Sequence, residues 1–181
     1  MSISPPLLPD LSTLVALFYE NPAELGTFEQ VSAAEIPTPY RELLAHHAHM
    51  TVTMEEFHGS PVDVRVLATR HDGSRYSRKI LLSRQSDGRV VQFGIPRLNL
   101  NFLSDEVRAE IESQRTPLGR VLIKHNVLRE VELVALWRVT MGGDLARLFS
   151  RPAGEVVYGR TALIHLNGEP AVELLEIAAP V

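Results

Sequence analysis

The sequence predicts an α+β fold, with about six antiparallel strands in one sheet and helices flanking it. From Pro61 onward, and again over 155–166, apolar and polar side chains alternate with a period of two, as in half-buried strands. The dipeptides Asp87-Gly88 and Asn167-Gly168 are strong hairpin signals beside such stretches. Helical patterns with suitable capping residues lie before and between the strands. Runs of strands and separate helices are typical of an antiparallel α+β sheet protein.

Each predicted element follows from a local pattern. Asp10 and Ser104 are natural N-caps for the first and third helices, and the strand alternation is weakest over 130–139. The predicted helices are 11–19, 39–46, 105–113, a short one that begins at Thr116, and 144–149. The predicted strands are 62–68, 75–83, 89–95 (closed by Pro96), 130–139, 155–166 and 171–179.

Composition limits the class of protein. A length of 181 residues, 45% of them hydrophobic and 22% charged, predicts one domain over 1–181, with a helical lead-in over 1–38. The net charge of −4 gives no reason to expect nucleic acid as a partner. The absence of cysteine excludes disulfides and thiolate chemistry. With no signal-peptide pattern and no apolar run near the roughly 20 residues of a membrane span, we expect a cytoplasmic protein with no membrane span.

The stretch 116–122 predicts a helix that faces a core. Thr116 can cap it and Pro117 suits the first helical position, while Leu118 begins an apolar stripe. Gly119 is unexpected there, because glycine costs about 1 kcal/mol relative to alanine in a helix. Two readings stay open: the exposed amides of this helix end receive a carboxylate, or the glycine lets the helix pack closely.

Two arginines occupy apolar sides of predicted strands. Arg78 lies on the apolar side of strand 75–83, and Arg160 lies on the apolar side of strand 155–166. A buried charge without a partner costs several kcal/mol, so each arginine needs a carboxylate from the protein or from a bound anion. One alternative is an internal network of Arg78, Arg160 and a glutamate; the other is a carboxylate-binding pocket.

The last predicted strand offers two glutamates as partners. Glu173 and Glu176 are three residues apart, so they lie on opposite faces of a regular strand and at most one can join the arginines. Parity alone does not choose between them.

A metal site is not predicted. His46, His47 and His49 are close in sequence, but no third ligand of suitable spacing accompanies them, and a cluster at a helix end near the surface is the simpler reading. No phosphate loop, Ser-His-Asp order or dinucleotide-binding glycine pattern is present. We therefore expect no cofactor.

Taken together, the motifs resemble the chorismate pyruvate-lyase (4-hydroxybenzoate synthase) family over roughly residues 40–180. No single motif is specific, but their order and spacing are. Two differences from the bacterial ubiquinone-pathway pattern, one additional residue between Gly168 and Glu176 and shorter connections around 70–75, indicate a divergent branch. The segments that carry the resemblance are Met50-Thr51 with Glu55 and Phe57, residues 77–82, residues 116–120, Gly159-Arg160, residues 167–170, Glu176 and Pro180.

The resemblance implies a buried site under helical flaps that converts chorismate to 4-hydroxybenzoate and pyruvate without a cofactor. Arg78 would hold the ring carboxylate, Glu176 would approach the hydroxyl end as the catalytic proton-transfer group, and Arg160 would hold the side-chain carboxylate. The implied substrate-binding residues are Arg78, Leu118, Gly119, Arg160, Met50 and Thr51. The alternative function is a non-catalytic domain that binds an aromatic or cyclohexadiene carboxylate, as sensor domains of the same fold do in transcription regulators.

Overall fold

In the computed structural model, which describes residues 9–127 and 129–181, seven strands form one open antiparallel sheet with helices on both sides. The predicted fold class is confirmed, with seven strands rather than six. The spatial order is β1-β5-β6-β7-β4-β3-β2. The strands are β1 Gly26–Val31, β2 Val62–Asp72, β3 Arg75–Arg84, β4 Val90–Asn99, β5 Arg129–Met141, β6 Val156–Leu166 and β7 Glu169–Ala178. The helices are α1 Leu11–Ala16, α2 Thr38–Leu44, α3 Met50–His58, α4 Asp105–Glu112, α5 Leu118–Lys124 and α6 Gly143–Leu148, with short 3₁₀ turns at Pro22–Glu24, Ala33–Glu35 and Leu100–Phe102.

The sheet is covered on both faces. One face, here called the cavity face, carries Tyr76, Arg78, Ile80 and Leu82 of β3 and packs against helices α2 to α5. The opposite face packs against α1 and α6, in a core that includes Phe93, Leu175 and Ile177. Since successive residues of a strand point to opposite faces, each central strand contributes to both cores.

The strand missed by the sequence reading is β1. It lies at one edge of the sheet and pairs only with β5. Most of its side chains are exposed or half-buried, so it lacks the apolar alternation that identifies a strand. The segment predicted as a helical lead-in over 1–38 therefore also contains a strand; its first eight residues, including Pro5 and Pro6, lie outside the described residues.

Strand β4 continues through Pro96, so the predicted end at Ile95 is wrong. Pro96 pairs with Leu174 of β7. On its other side the ladder pairs Ser77 with Arg97 and next Ile80 with Gly94, which places Pro96 opposite Arg78. Proline has no N–H to donate, so the strand tolerates it where no rung is required.

Strand β5 contains a β-bulge that changes which face its side chains occupy. Leu133 pairs with Ala162, whereas Ala135 pairs with Thr161, so Val134 is an additional residue. The alternating residues of 131–139 were expected on a single face; in the structure the first of them face the cavity side, and Trp137 and Val139 pack on the opposite side.

The helix and turn predictions have mixed outcomes. The Asp10 and Ser104 caps are confirmed, because their side chains accept hydrogen bonds from the N–H groups of Thr13 and Val107. The predicted Thr116 cap is wrong: Pro117 occupies the N-cap position of α5 and no side chain caps it. The Asn167-Gly168 hairpin turn is confirmed, with φ values of 52° and 84° as a two-residue turn of this type requires. Among the described residues, no helix is both long enough and apolar enough to cross a membrane.

Candidate functional site

A cavity of about 40 Å³ lies between the cavity face of the sheet and the N-terminal ends of α3 and α5. Its floor is formed by central strands and its cover by the two helix ends. Six of the seven residues expected at the site line it, and Arg78 is not among them. These six are Met50 and Thr51 of α3, Leu118 and Gly119 of α5, Arg160 of β6 and Glu176 of β7.

Close packing of α3 on α5 accounts for Gly119. A Cβ atom at this position would lie 3.1 Å from Thr51 Oγ1 and 3.4 Å from His49 Cβ. Contacts below 3.4 Å are tighter than ordinary packing, so a side chain would push the helices apart. Arg120 and Glu55 form an ion pair between the same helices. The packing explanation for Gly119 is therefore sufficient, and α3 and α5 act as one cover.

Arg160 is fully buried and satisfied by the protein. Its Nε donates to Glu176 Oε2 at 2.7 Å, and its two terminal nitrogens donate to the carbonyl oxygens of His46 and Ala48, each at 3.0 Å. For this arginine, the internal ion pair is the reading that the structure supports. The contacts also fix the loop between α2 and α3 onto the sheet.

The position of Glu176 opposite Arg160 depends on a second bulge. At the hairpin Leu166 pairs with Glu169, and a regular ladder would then place Leu175 opposite Arg160. The register shifts by one residue between His165 and Ile164, and this shift brings Glu176 opposite Arg160 instead.

Glu173 lies on the opposite face of the sheet, away from the cavity. Its carboxylate accepts two hydrogen bonds from Arg97, at 2.7 and 3.0 Å, and one from Arg75 at 3.2 Å. This bidentate pair satisfies Glu173 without any ligand. Of the two candidate glutamates, Glu176 is the one at the cavity.

Arg78 differs from Arg160 in having no carboxylate partner. Its side chain is 0% exposed, and one terminal nitrogen donates to the carbonyl oxygen of Ile111 at 3.3 Å. Among the described residues, Nε and the second terminal nitrogen of Arg78 have no hydrogen-bond partner. Burial lowers the pKa of this guanidinium from its ordinary value, which reflects the cost of holding the charge there. The hydroxyl of Tyr76, two residues before it on the same face, is also buried and without a partner among these residues.

Gln92 is a cavity residue that the sequence reading missed. It lies on β4, is 2% exposed, lines the cavity, and its Oε1 has no partner among the described residues. The available signal was the stretch Val90–Ile95, where apolar residues occupy both parities; a strand apolar on both sides is covered on both faces, so its one amide side chain must be buried.

The histidine cluster lies beside the cavity and not on a helix. His46 contacts the Leu43 carbonyl oxygen through Nε2 at 2.6 Å, and His47 Nδ1 lies 3.2 Å from the Val131 carbonyl oxygen. His49 Nε2 accepts a hydrogen bond from Arg129 Nε at 2.6 Å. Burial, followed by the charge of Arg129, lowers the pKa of His49 to about 4. The residues that the structure describes contain no group of three or more His, Cys, Asp or Glu suited to a metal ion.

Comparison with known proteins shows a shared fold at low sequence identity. PhnF from Mycobacterium smegmatis matches with a TM-score of 0.52 and 11% identity over 73% of this chain. The chain spans 64% of the length of PhnF. No protein-family model matches the chain, and no curated protein does.

Weaker similarities are found to two other solved domains. The ligand-binding domain of a putative GntR-family transcriptional regulator from Bordetella bronchiseptica matches with a TM-score of 0.48 and 12% identity, over 65% of this chain and 85% of that one. The C-terminal domain of the histidine utilization repressor from Pseudomonas syringae matches with a TM-score of 0.45 and 13% identity, over 65% and 91%.

The expectation of a carbon–oxygen lyase is wrong. Many of the solved structures with this fold are domains of transcriptional regulators and not enzymes. The geometry agrees with the correction, because Glu176, the residue expected to transfer protons, is already the ion-pair partner of the buried Arg160.

Proposed function

We propose that residues 1–181 form one small-molecule-binding domain, a sensor, whose cavity takes an aromatic or cyclohexadiene carboxylate. The observation that carries this proposal is Arg78, a fully buried guanidinium with two nitrogens unpartnered among the described residues and no carboxylate beside it. The likeness to PhnF supports the fold in which such a site would be built.

A carboxylate is the ligand group that this arginine matches. A guanidinium presents its donors as a planar fork, and a carboxylate accepts two of them in parallel. A buried charge is costly unless it is paired, so binding an anion removes a penalty that the ligand-free protein carries. Arg160 offers no such opportunity, since all three of its nitrogens already donate to protein oxygens.

The cavity lining favours an unsaturated ring over a polar chain. Leu118 and Met50 cover it, while Ile80, Ile164 and Leu174 line it from the sheet. Apolar lining with few convergent polar groups is typical of small-molecule sites. Burying the ring against these side chains would contribute about 25 cal/mol per Å² of apolar surface.

The cover must move for a ring to enter. A cavity of about 40 Å³ holds only a few water molecules, at roughly 10–15 Å³ for each. The N-terminal ends of α3 and α5 close it, and these helices contact each other through Thr51 and Gly119. We therefore expect ligand binding to displace α3 and α5 together, which is how a sensor would convert occupancy into a change of shape.

The test is calorimetric titration with matched probes. Wild type should bind benzoate and 4-hydroxybenzoate but not the neutral 4-hydroxybenzamide. Arg78→Met keeps the alkyl stem and removes the fork, so affinity for both acids should fall by about 10- to 100-fold, the worth of a charged hydrogen bond.

The control variant is Arg65→Met, which replaces an exposed arginine of the neighbouring strand β2. It should bind both acids as wild type does. Absence of acid binding by wild type, or equal affinity in wild type and Arg78→Met, would contradict the proposal.

A further inference from the structure

Gln92 has an unusual environment for a buried amide. Its paired neighbours on the cavity face are Leu82 of β3 and Ala178 of β7, both apolar. Both of these neighbours belong to a core cluster of aliphatic and methionine side chains. A buried amide oxygen without a hydrogen bond costs free energy, and proteins contain few such groups. Here the group lines a cavity, so a molecule in that cavity can satisfy it.

Gln92 and Arg78 are separated along the cavity face. Gln92 is four residues before Pro96, which stands opposite Arg78, so the two positions are about 13 Å apart along the strand at about 3.3 Å per residue. Gly94 lies between them and has no side chain. A Cβ at Gly94 would lie 3.3 Å from Ile80 Cγ1, so its absence keeps the floor open between the two polar positions.

The other charged groups at the cavity are less available than Gln92. Glu176 Oε2 and the Arg160 guanidinium are paired with each other, and Arg160 is also held by two carbonyl oxygens. His49 accepts from Arg129. The amide of Gln92 is therefore the neutral polar group at the cavity with a buried oxygen that no described residue satisfies.

We propose that Gln92 is a specificity-determining residue, whose oxygen accepts a hydrogen bond from an O–H or N–H group at the end of the ligand remote from its carboxylate. This inference rests on the proposed function, since Arg78 sets which end of the ligand carries the acid. It narrows the ligand class to ring acids with a hydroxyl or amino substituent. An unsubstituted ring acid leaves the amide oxygen unsatisfied and binds less tightly.

The test compares two probes on two proteins. Wild type should bind 4-hydroxybenzoate about tenfold more tightly than benzoate, the usual worth of one hydrogen bond to a buried group. Gln92→Leu keeps a similar size and removes the amide, so the preference should vanish: affinity for 4-hydroxybenzoate falls about tenfold, while affinity for benzoate stays within about twofold. Repeating the comparison with 4-aminobenzoate tests N–H donors. Gln92→Met provides a second variant with an unbranched side chain, should leucine disturb the fold.

The outcomes separate the two proposals. If wild type binds neither acid, the proposed function fails and this inference falls with it. If both acids bind with Arg78-dependent affinity but Gln92→Leu and Gln92→Met keep the preference for the hydroxyl, or weaken both acids equally, the proposed function stands and the role of Gln92 is refuted.

Discussion

Replacing Arg78 with methionine should stabilise the ligand-free protein, whereas the same replacement at Arg160 should destabilise it. Both arginines are 0% exposed and lie on the same face of one sheet. They differ in their partners: Arg78 makes one 3.3 Å hydrogen bond to a carbonyl oxygen, and Arg160 makes an ion pair and two further hydrogen bonds. The matched substitution therefore isolates the effect of pairing.

The expected magnitudes follow from those contacts. Burying an ion costs several kcal/mol, and one hydrogen bond returns only about 0.5–1.5 kcal/mol, so Arg78→Met should raise the free energy of unfolding by about 1–3 kcal/mol. Arg160→Met leaves the Glu176 carboxylate buried without its partner, and a change of this kind lowers the free energy of unfolding by about 3–5 kcal/mol. For a chain of this length each kcal/mol shifts the melting temperature by about 2–4 °C.

The assay is urea unfolding followed by the fluorescence of Trp137, the single tryptophan. Its ring packs with the core on the opposite face, and its Nε1 donates to Thr161 Oγ1 at 3.1 Å, so it reports unfolding without touching either arginine's guanidinium. The exposed control Arg65→Met should stay within about 0.5 kcal/mol of wild type. If Arg78→Met destabilised the protein as much as Arg160→Met does, Arg78 would be a structural group and the argument for a ligand would fail.

Two further predictions concern the cavity floor and its rim. Gly94→Ala should change the free energy of unfolding by less than about 1.5 kcal/mol, because Ile80 can yield slightly, but should weaken 4-hydroxybenzoate binding in calorimetry by narrowing the floor; unchanged affinity would contradict this. Because the pKa of His49 is lowered to about 4 from 6.5, the unfolded chain takes up the proton first, so the free energy of unfolding should fall between pH 6.5 and 4, by at most about 1.4 kcal/mol per pH unit. Urea unfolding across this range should show a shallower fall for His49→Gln, and an identical slope in both proteins would refute this assignment.

The sequence predicts which side of a strand a residue occupies, and this was enough to find the buried arginines. The period of two is a property of the strand itself, so Arg78 and Arg160 could be assigned to apolar faces without a tertiary structure. The same parity put Glu173 and Glu176 on opposite faces, as the structure has them. Binding of a ligand by these residues remains a prediction.

What the sequence could not predict is which residues meet across strands. A two-residue turn at Asn167-Gly168 sets the start of the β6–β7 register, but the bulge a few residues later decides that Glu176, and not Leu175, lies opposite Arg160. The edge strand β1 escaped because exposure on an edge removes the apolar pattern. Pro96 was read as a strand end, since the residue that tolerates a missing donor opposite Arg78 is visible only once β3 is placed beside β4.

The bulge in β5 makes residue number more important than residue identity at Val134. That side chain is 39% exposed, so most substitutions there alter little of the packing. Deleting it would join Leu133 directly to Ala135 and reverse the facing of every residue on one side of the join. Either the side chains of Val131 and Leu133 would leave the cavity side or those of Trp137 and Val139 would leave the opposite core. The strand therefore behaves like a reading frame, in which a single added or lost unit has larger consequences than a changed one.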